Sequence, residues 1–96
     1  MKPLTEDLYD DLYQTLLSIK TPQEMALFLD DLCTRKEVKQ MAARLYAARL
    51  LADGATYLNA IEKSGLSSAT VSRVSRCLQY GQGYNIVIEQ ENSEQE

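Results

Sequence analysis

Leu4, Leu8, Leu12 and Leu16 recur at a spacing of four, with Tyr9, Tyr13 and Leu17 beside them, a pattern that predicts a first helix with a broad apolar face. Thr5, ahead of Glu6 and Asp7, is its expected cap, the acids suiting the positive end of the helix dipole. At Thr21-Pro22-Gln23-Glu24 three signals agree on a second helix: Thr21 caps it, proline takes the first helical position, and Glu24 completes a capping box. The first helix must therefore end near Lys20. Met25, Phe28, Leu29 and Leu32 then follow the i, i+3, i+4, i+7 spacing. Thr34-Arg35-Lys36-Glu37 is a second capping box, and behind it Val38, Met41, Ala42, Leu45, Tyr46, Leu50 and Leu51 run to Gly54, whose freedom at positive φ suits a helix stop. This third helix is the longest.

From Thr56 to Gly81 the pattern becomes two short amphipathic helices pinched at Gly65, which predicts a helix-turn-helix and makes double-stranded DNA the leading partner. Leu58 and Ile61 supply apolar positions on its first helix, Leu66 is buried after the turn, and Val71, Val74 and Leu78 follow at helical spacing. Ser67 is a ready N-cap for the second helix. With Val74 at the centre of the buried face, Ser68, Ala69, Ser72, Arg76 and Gln79 point outward and Arg73 lies at the flank. Ser67, Ser68, Ala69, Ser72, Arg73 and Arg76 are therefore the expected DNA-binding residues, the small polar ones toward base edges and Arg76 toward phosphate. Short side chains offer few bidentate base contacts, so readout through water or DNA shape is expected. The plainer alternative is an ordinary helix pair whose glycine only ends a helix.

No segment alternates as a strand would, and five or more helices make this an all-α protein. NIVIE after Gly83 reads either as a strand-like arm or as a last helical turn, and the closing EQENSEQE as frayed. The three N-terminal helices carry more apolar surface than a small helix-turn-helix can cover, so part of it should meet a second subunit. A two-fold homodimer would present two recognition helices to half-sites roughly 34 Å apart.

Composition sharpens this picture at two points. The 96 residues, 45% apolar and 25% charged, describe one small domain that an oligomer would help to stabilise. Net charge is −4, which opposes nucleic acid until it is divided along the chain. Residues 1–33 carry two lysines against seven acids and residues 81–96 four glutamates, whereas residues 34–80 carry eight basic residues against three acids. The positive part contains the helix pair, and phosphate attraction is local at a Debye length of roughly 8 Å. There is no apolar run long enough to cross a bilayer and no charged-then-apolar leader, so a cytoplasmic location without membrane contact is expected. Cys33 and Cys77 stand in a chain without histidine, which leaves no metal-ligand set, and both are expected to be buried as small apolar side chains. Asp10-Asp11 and Asp30-Asp31 are adjacent acids whose side chains diverge on a helix, so no enzyme and no cofactor is expected.

The run DLYDDLYQTLLSIKTPQEMALFLDDLCT, then RLYAARLLADG, then SSATVSRVSRCLQYG, resembles the tryptophan-repressor-related family, most closely its small YerC/YecD type, over nearly the whole chain. The LCT junction, the RLL-x-x-G helix end and the ATVSR helix are the most specific matches. The resemblance implies one Trp-repressor-like domain over 1–96, with a helical dimerisation part at about 4–54, a helix-turn-helix at about 56–80 and a tail at 84–96. It further implies an intertwined dimer on a palindromic operator. Arg44 and Arg73 match the two arginines that flank the indole and hold the carboxylate in the tryptophan repressor, and Thr34 and Thr70 match too. That repressor has glycine and serine where this chain has Val74 and Cys77, which leaves arginines with little space. Its basic contacts on the first helix of the motif correspond to Leu58 and Ile61, and Ala60-Ile61 reverses its apolar-then-alanine order.

Three functional readings follow. The first is a dimeric, sequence-specific DNA-binding regulator, a repressor that does not depend on tryptophan. The second adds a small anionic effector at Thr34, Arg44, Thr70, Arg73, Val74 and Cys77, although Arg44 and Arg73 are more simply read as structural or phosphate-binding. The third is a protein-interaction adapter that no longer binds DNA.

Overall fold

Six helices account for almost all of residues 7–95, which are the residues described by the structure, a computed structural model of the single chain. They are α1 (Leu8–Ser18), α2 (Pro22–Leu32), α3 (Arg35–Ala52), α4 (Tyr57–Ser64), α5 (Ser68–Tyr80) and α6 (Gly83–Gln95). The chain divides into two compact units, Met1–Val38 and Lys39–Glu96, and the division falls inside α3.

Local capping chemistry sets most of the boundaries. Thr5 lies outside the described residues; the cap of α1 is Asp7, whose carboxylate accepts the Asp10 N–H at 2.9 Å. Thr21 accepts the Glu24 N–H at 3.1 Å with Pro22 in the first turn. Thr34 and Glu37 make the full reciprocal box, Glu37 N–H to the Thr34 hydroxyl at 3.1 Å and Thr34 N–H to the Glu37 carboxylate at 2.8 Å. At the end of α3 the Ala55 N–H reaches back to the Leu50 carbonyl at 2.9 Å and the Gly54 N–H to Leu51 at 3.1 Å, a Schellman closure that the φ of 96° at Gly54 permits.

In the first unit neither α1 nor α2 buries a residue, and Tyr9, Tyr13 and Leu17, spaced by four along α1, remain exposed. In the second unit the core is built from Ala47 and Ala48 of α3, Ala60 of α4, Leu66 of the turn, and Val71 and Val74 of α5. Small side chains there let the helices approach closely, and Ala43, Leu51, Ile61, Leu78 and Tyr84 close around them. The large apolar residues expected to form the α3 core face, Met41, Leu45 and Tyr46, are exposed instead. Cys33 and Cys77 are free thiols and half-buried, not fully buried as expected.

The largest departure from the sequence pattern is the C-terminal end. Residues 84–96, expected to be a tail, belong through Gln95 to α6, which packs on α5. Tyr84, Ile88 and Glu91 recur at helical spacing and are half-buried, so three adjacent β-branched residues, Ile86-Val87-Ile88, hid a helical pattern behind a strand-like one. Only Gly81 and Gln82 separate the two helices. A Cβ at Gly81 would lie 2.7 Å from the Cys77 carbonyl oxygen, so the junction has no room for a side chain there.

Candidate nucleic-acid interface and adjoining cleft

The helix pair is formed by local chemistry at each end. Thr56 caps α4 through the Asn59 N–H at 3.2 Å, Gly65 turns the chain at φ 73°, and Ser67 caps α5 by accepting the Thr70 N–H at 3.2 Å. The Ser67 hydroxyl also pairs with that of Thr70 at 2.9 Å, so much of its hydrogen-bonding capacity is used within the turn. Leu66, Val71 and Val74 anchor the motif, with Val74 only 2% exposed. On α4 the inward residues are Ala60, Ile61 and Ser64; Leu58, expected to be part of the apolar face, is exposed. The reversed Ala60-Ile61 order therefore still places the small residue where α4 meets the core.

On α5 the exposed residues are Ser68, Ala69, Arg73, Arg76, Gln79 and Tyr80, while Ser72 is half-buried and Ser75 buried. The exposed set starts with small residues in the first turn and carries arginines one and two turns on, a layout suited to a groove-facing tip with cations behind it. Among the described residues neither arginine is in an ion pair.

Beside this surface lies a cleft of about 350 Å³ lined by Arg44, Thr70, Arg73, Val74, Cys77 and Tyr84. The structure thus brings together five of the six effector candidates and adds Tyr84, which sequence reasoning missed; its spacing to Ile88 and Glu91 was the available signal. Thr34, the sixth, is occupied in capping α3. Val74 is part of the core floor, and open volume remains over it. Two guanidiniums and a hydroxyl can hold a carboxylate or phosphate, and the volume lies at the low end for small-ligand sites.

Residues 7–92 match the family described as Trp repressor protein. The chain belongs to the Trp repressor family. Over 72 residues it is 47% identical to the YerC protein of Bacillus subtilis (strain 168), a span of 75% of this chain and 69% of that relative. A TrpR-like protein from Eubacterium eligens ATCC 27750 superimposes with a TM-score of 0.82 at 40% identity, covering 86% of this chain and 87% of that one. A second solved structure, from Staphylococcus aureus, gives a TM-score of 0.82 at 37% identity over 86% of this chain and 84% of the other. For this member of the Trp repressor family, then, the all-α fold is shown by both sequence and structure.

α6 is tied to α3 by a bidentate pair between Arg49 and Glu91, with Nη2 donating to Oε1 at 2.7 Å and Nη1 to Oε2. The hydrogen bonds from Arg49, then its charge, hold the Glu91 carboxyl below its ordinary range, and the same bonds hold the Arg49 guanidinium above its own. Glu37 is lowered too, first by the Thr34 N–H and then by the Thr34 hydroxyl. A carboxyl lowered in the folded state adds stability above its unfolded pKa, and that contribution is lost as pH falls through the lowered value. Arg49 stays charged throughout. Acid titration of stability, followed by urea midpoints from roughly pH 5 downward, should fall less steeply for Glu91→Gln than for the parent; equal slopes would show that the pair is not populated in solution.

Proposed function

We propose that the protein is a DNA-binding transcriptional regulator that works as a homodimeric repressor on a palindromic double-stranded operator and does not require tryptophan. The observation that carries this reading is the α4–α5 pair: a turn fixed by Gly65 and Ser67 presents Ser68, Ala69, Arg73 and Arg76 on one exposed side of α5. Membership of the Trp repressor family supports it. Ser68 and Ala69 approach base edges, Arg76 contacts phosphate, and few of these side chains can make a bidentate base contact, so sequence is read largely through water and DNA shape.

Selection of bound duplexes from a random pool, followed by anisotropy titrations at several salt concentrations, tests it. The parent protein should enrich a palindrome. Arg76→Ala should weaken binding to all sequences and reduce the salt slope by about one unit, as loss of one phosphate contact does. Ser72→Ala should instead change sequence preference. No enrichment and no duplex binding by the parent protein would leave the adapter reading in its place.

A second reading is favoured by the cleft. Arg44 and Arg73, with Thr70 beside them, suit a small anionic effector that modulates DNA binding, because guanidiniums form paired hydrogen bonds to carboxylate or phosphate.

A further inference from the structure

α6 is fastened to the rest of its unit at three points. Near its start, Tyr84 packs against the core cluster and lines the cleft with Arg44, Thr70, Arg73, Val74 and Cys77. One residue on, the Asn85 side-chain amide donates to the Leu78 carbonyl at 2.8 Å and to the Gly81 carbonyl at 3.4 Å. Two turns later, Glu91 grips Arg49 of α3. The Leu78 carbonyl is one of the last four of α5, which have no partner within their own helix. Asn85 therefore acts as a C-terminal cap supplied by another helix. The link between α5 and α6 is two residues long and is tight at Gly81, so a displacement of α6 passes directly to the end of α5.

We infer that α6 is a brace for the DNA-reading helix: Tyr84 and Asn85 are positioning residues that fix the tilt of α5 from its C-terminal end. The inference rests on the proposal that α5 reads DNA. Its physical basis is leverage. With 13 residues, α5 is about 20 Å long, and a tilt of roughly 10° about its far end would move its first turn by about 3 Å. Hydrogen bonds to base edges tolerate only about 0.5 Å, so a small loosening at Leu78 and Gly81 is enough to lose sequence reading at Ser68 and Ala69. Phosphate attraction, being long-ranged and non-directional, survives the same tilt. The brace thus acts on specificity more than on DNA affinity in general, a distinction that a purely stabilising role for α6 would not produce.

The test uses the full chain and three variants, Tyr84→Ala, Asn85→Ala and Tyr84→Phe, at a temperature where circular dichroism shows each fully folded. Operator affinity and non-specific duplex affinity are measured separately, together with amide hydrogen exchange along α5. Tyr84→Ala and Asn85→Ala should each lower operator affinity about tenfold or more, change non-specific affinity less than about twofold, and raise exchange in the last turns of α5. Tyr84→Phe, which keeps the ring, should behave as the parent. Equal losses on operator and non-specific DNA, or unchanged exchange in α5, would overturn the brace. If Tyr84→Ala fails to fold, Glu91→Gln, which releases only the far end of α6, takes its place with the same expected direction. Absence of any operator binding by the parent protein would count against the DNA-reading proposal alone, since hydrogen exchange still decides whether α6 holds α5.

Discussion

The double variant Tyr13→Glu/Leu17→Glu is expected to sediment as a monomer at micromolar concentrations where the parent chain is expected to be a dimer, and to bind the operator a hundredfold to a thousandfold more weakly. These residues are one turn apart on α1, 57% and 78% exposed in the single chain, and continue a stripe begun by Tyr9. Full burial of such a side chain contributes about 1.5 to 3 kcal/mol, of which an interface recovers only part after its ordering costs. At about 1 kcal/mol each, four side chains across a two-fold interface amount to about 4 kcal/mol, or roughly three decades in the dimer dissociation constant. Losing the dimer removes the linkage of two half-sites, which is itself worth 10²–10⁴ in affinity. Because neither α1 nor α2 has a buried residue of its own, the exchange should leave the Lys39–Glu96 core folded, with most of its helical circular dichroism. A dimer that persists in the variant would place the interface elsewhere. A parent chain that stays monomeric at those concentrations would remove the dimeric operator reading altogether.

L-tryptophan is expected neither to bind this protein well nor to change its affinity for DNA. Two residues oppose the ligand. Val74 adds a branched side chain to the floor of the cleft, at an overpacking cost of roughly 1 to 3 kcal/mol, and the Cys77 thiol is a poor partner for an ammonium group, forfeiting about 1 kcal/mol more. Affinity should then be lower by one to three decades than in a site with glycine and serine at these positions. The open volume of about 350 Å³ does not reverse this, because it lies above a floor that is already packed. Calorimetry with L-tryptophan checks the first half and operator titrations with and without it the second. Tight binding by the parent chain would refute the argument. The reverse exchange, Val74→Gly with Cys77→Ser, should restore binding, although it comes at a cost in stability. Val74 belongs to the core, so its removal leaves a cavity and a mid-helix glycine, together about 2 to 3 kcal/mol.

Much of the helix map was legible in the residue order, for a physical reason. The cap at Thr21, the reciprocal box at Thr34–Glu37, the cap at Ser67, and the turns at Gly54 and Gly65 are interactions over three to five residues, so their participants stand next to one another in the sequence. The same locality made the outward residues of α5 readable from Val74, except that Ser72 is half-buried. At α1 the cap within the described residues is Asp7, again three residues from the N–H that it accepts, and Thr5, the expected cap, lies outside them.

The sequence by itself determined α1 to α5, the caps at Thr21, Thr34 and Ser67, the helix-turn-helix and the family, because these rest on short-range hydrogen bonds and on periodicity within one element. Only the tertiary structure decided which apolar face of α3 turns inward. Periodicity marks Met41, Leu45 and Tyr46 as readily as Ala47 and Ala48, and close helix approach selects the small pair. It also decided that residues 84–95 form a helix rather than a tail. The contacts that hold α6, Asn85 to Leu78 and Glu91 to Arg49, link positions seven and 42 residues apart, and pairings at such separations leave no trace in local propensity; they exist only once packing has closed the chain on itself.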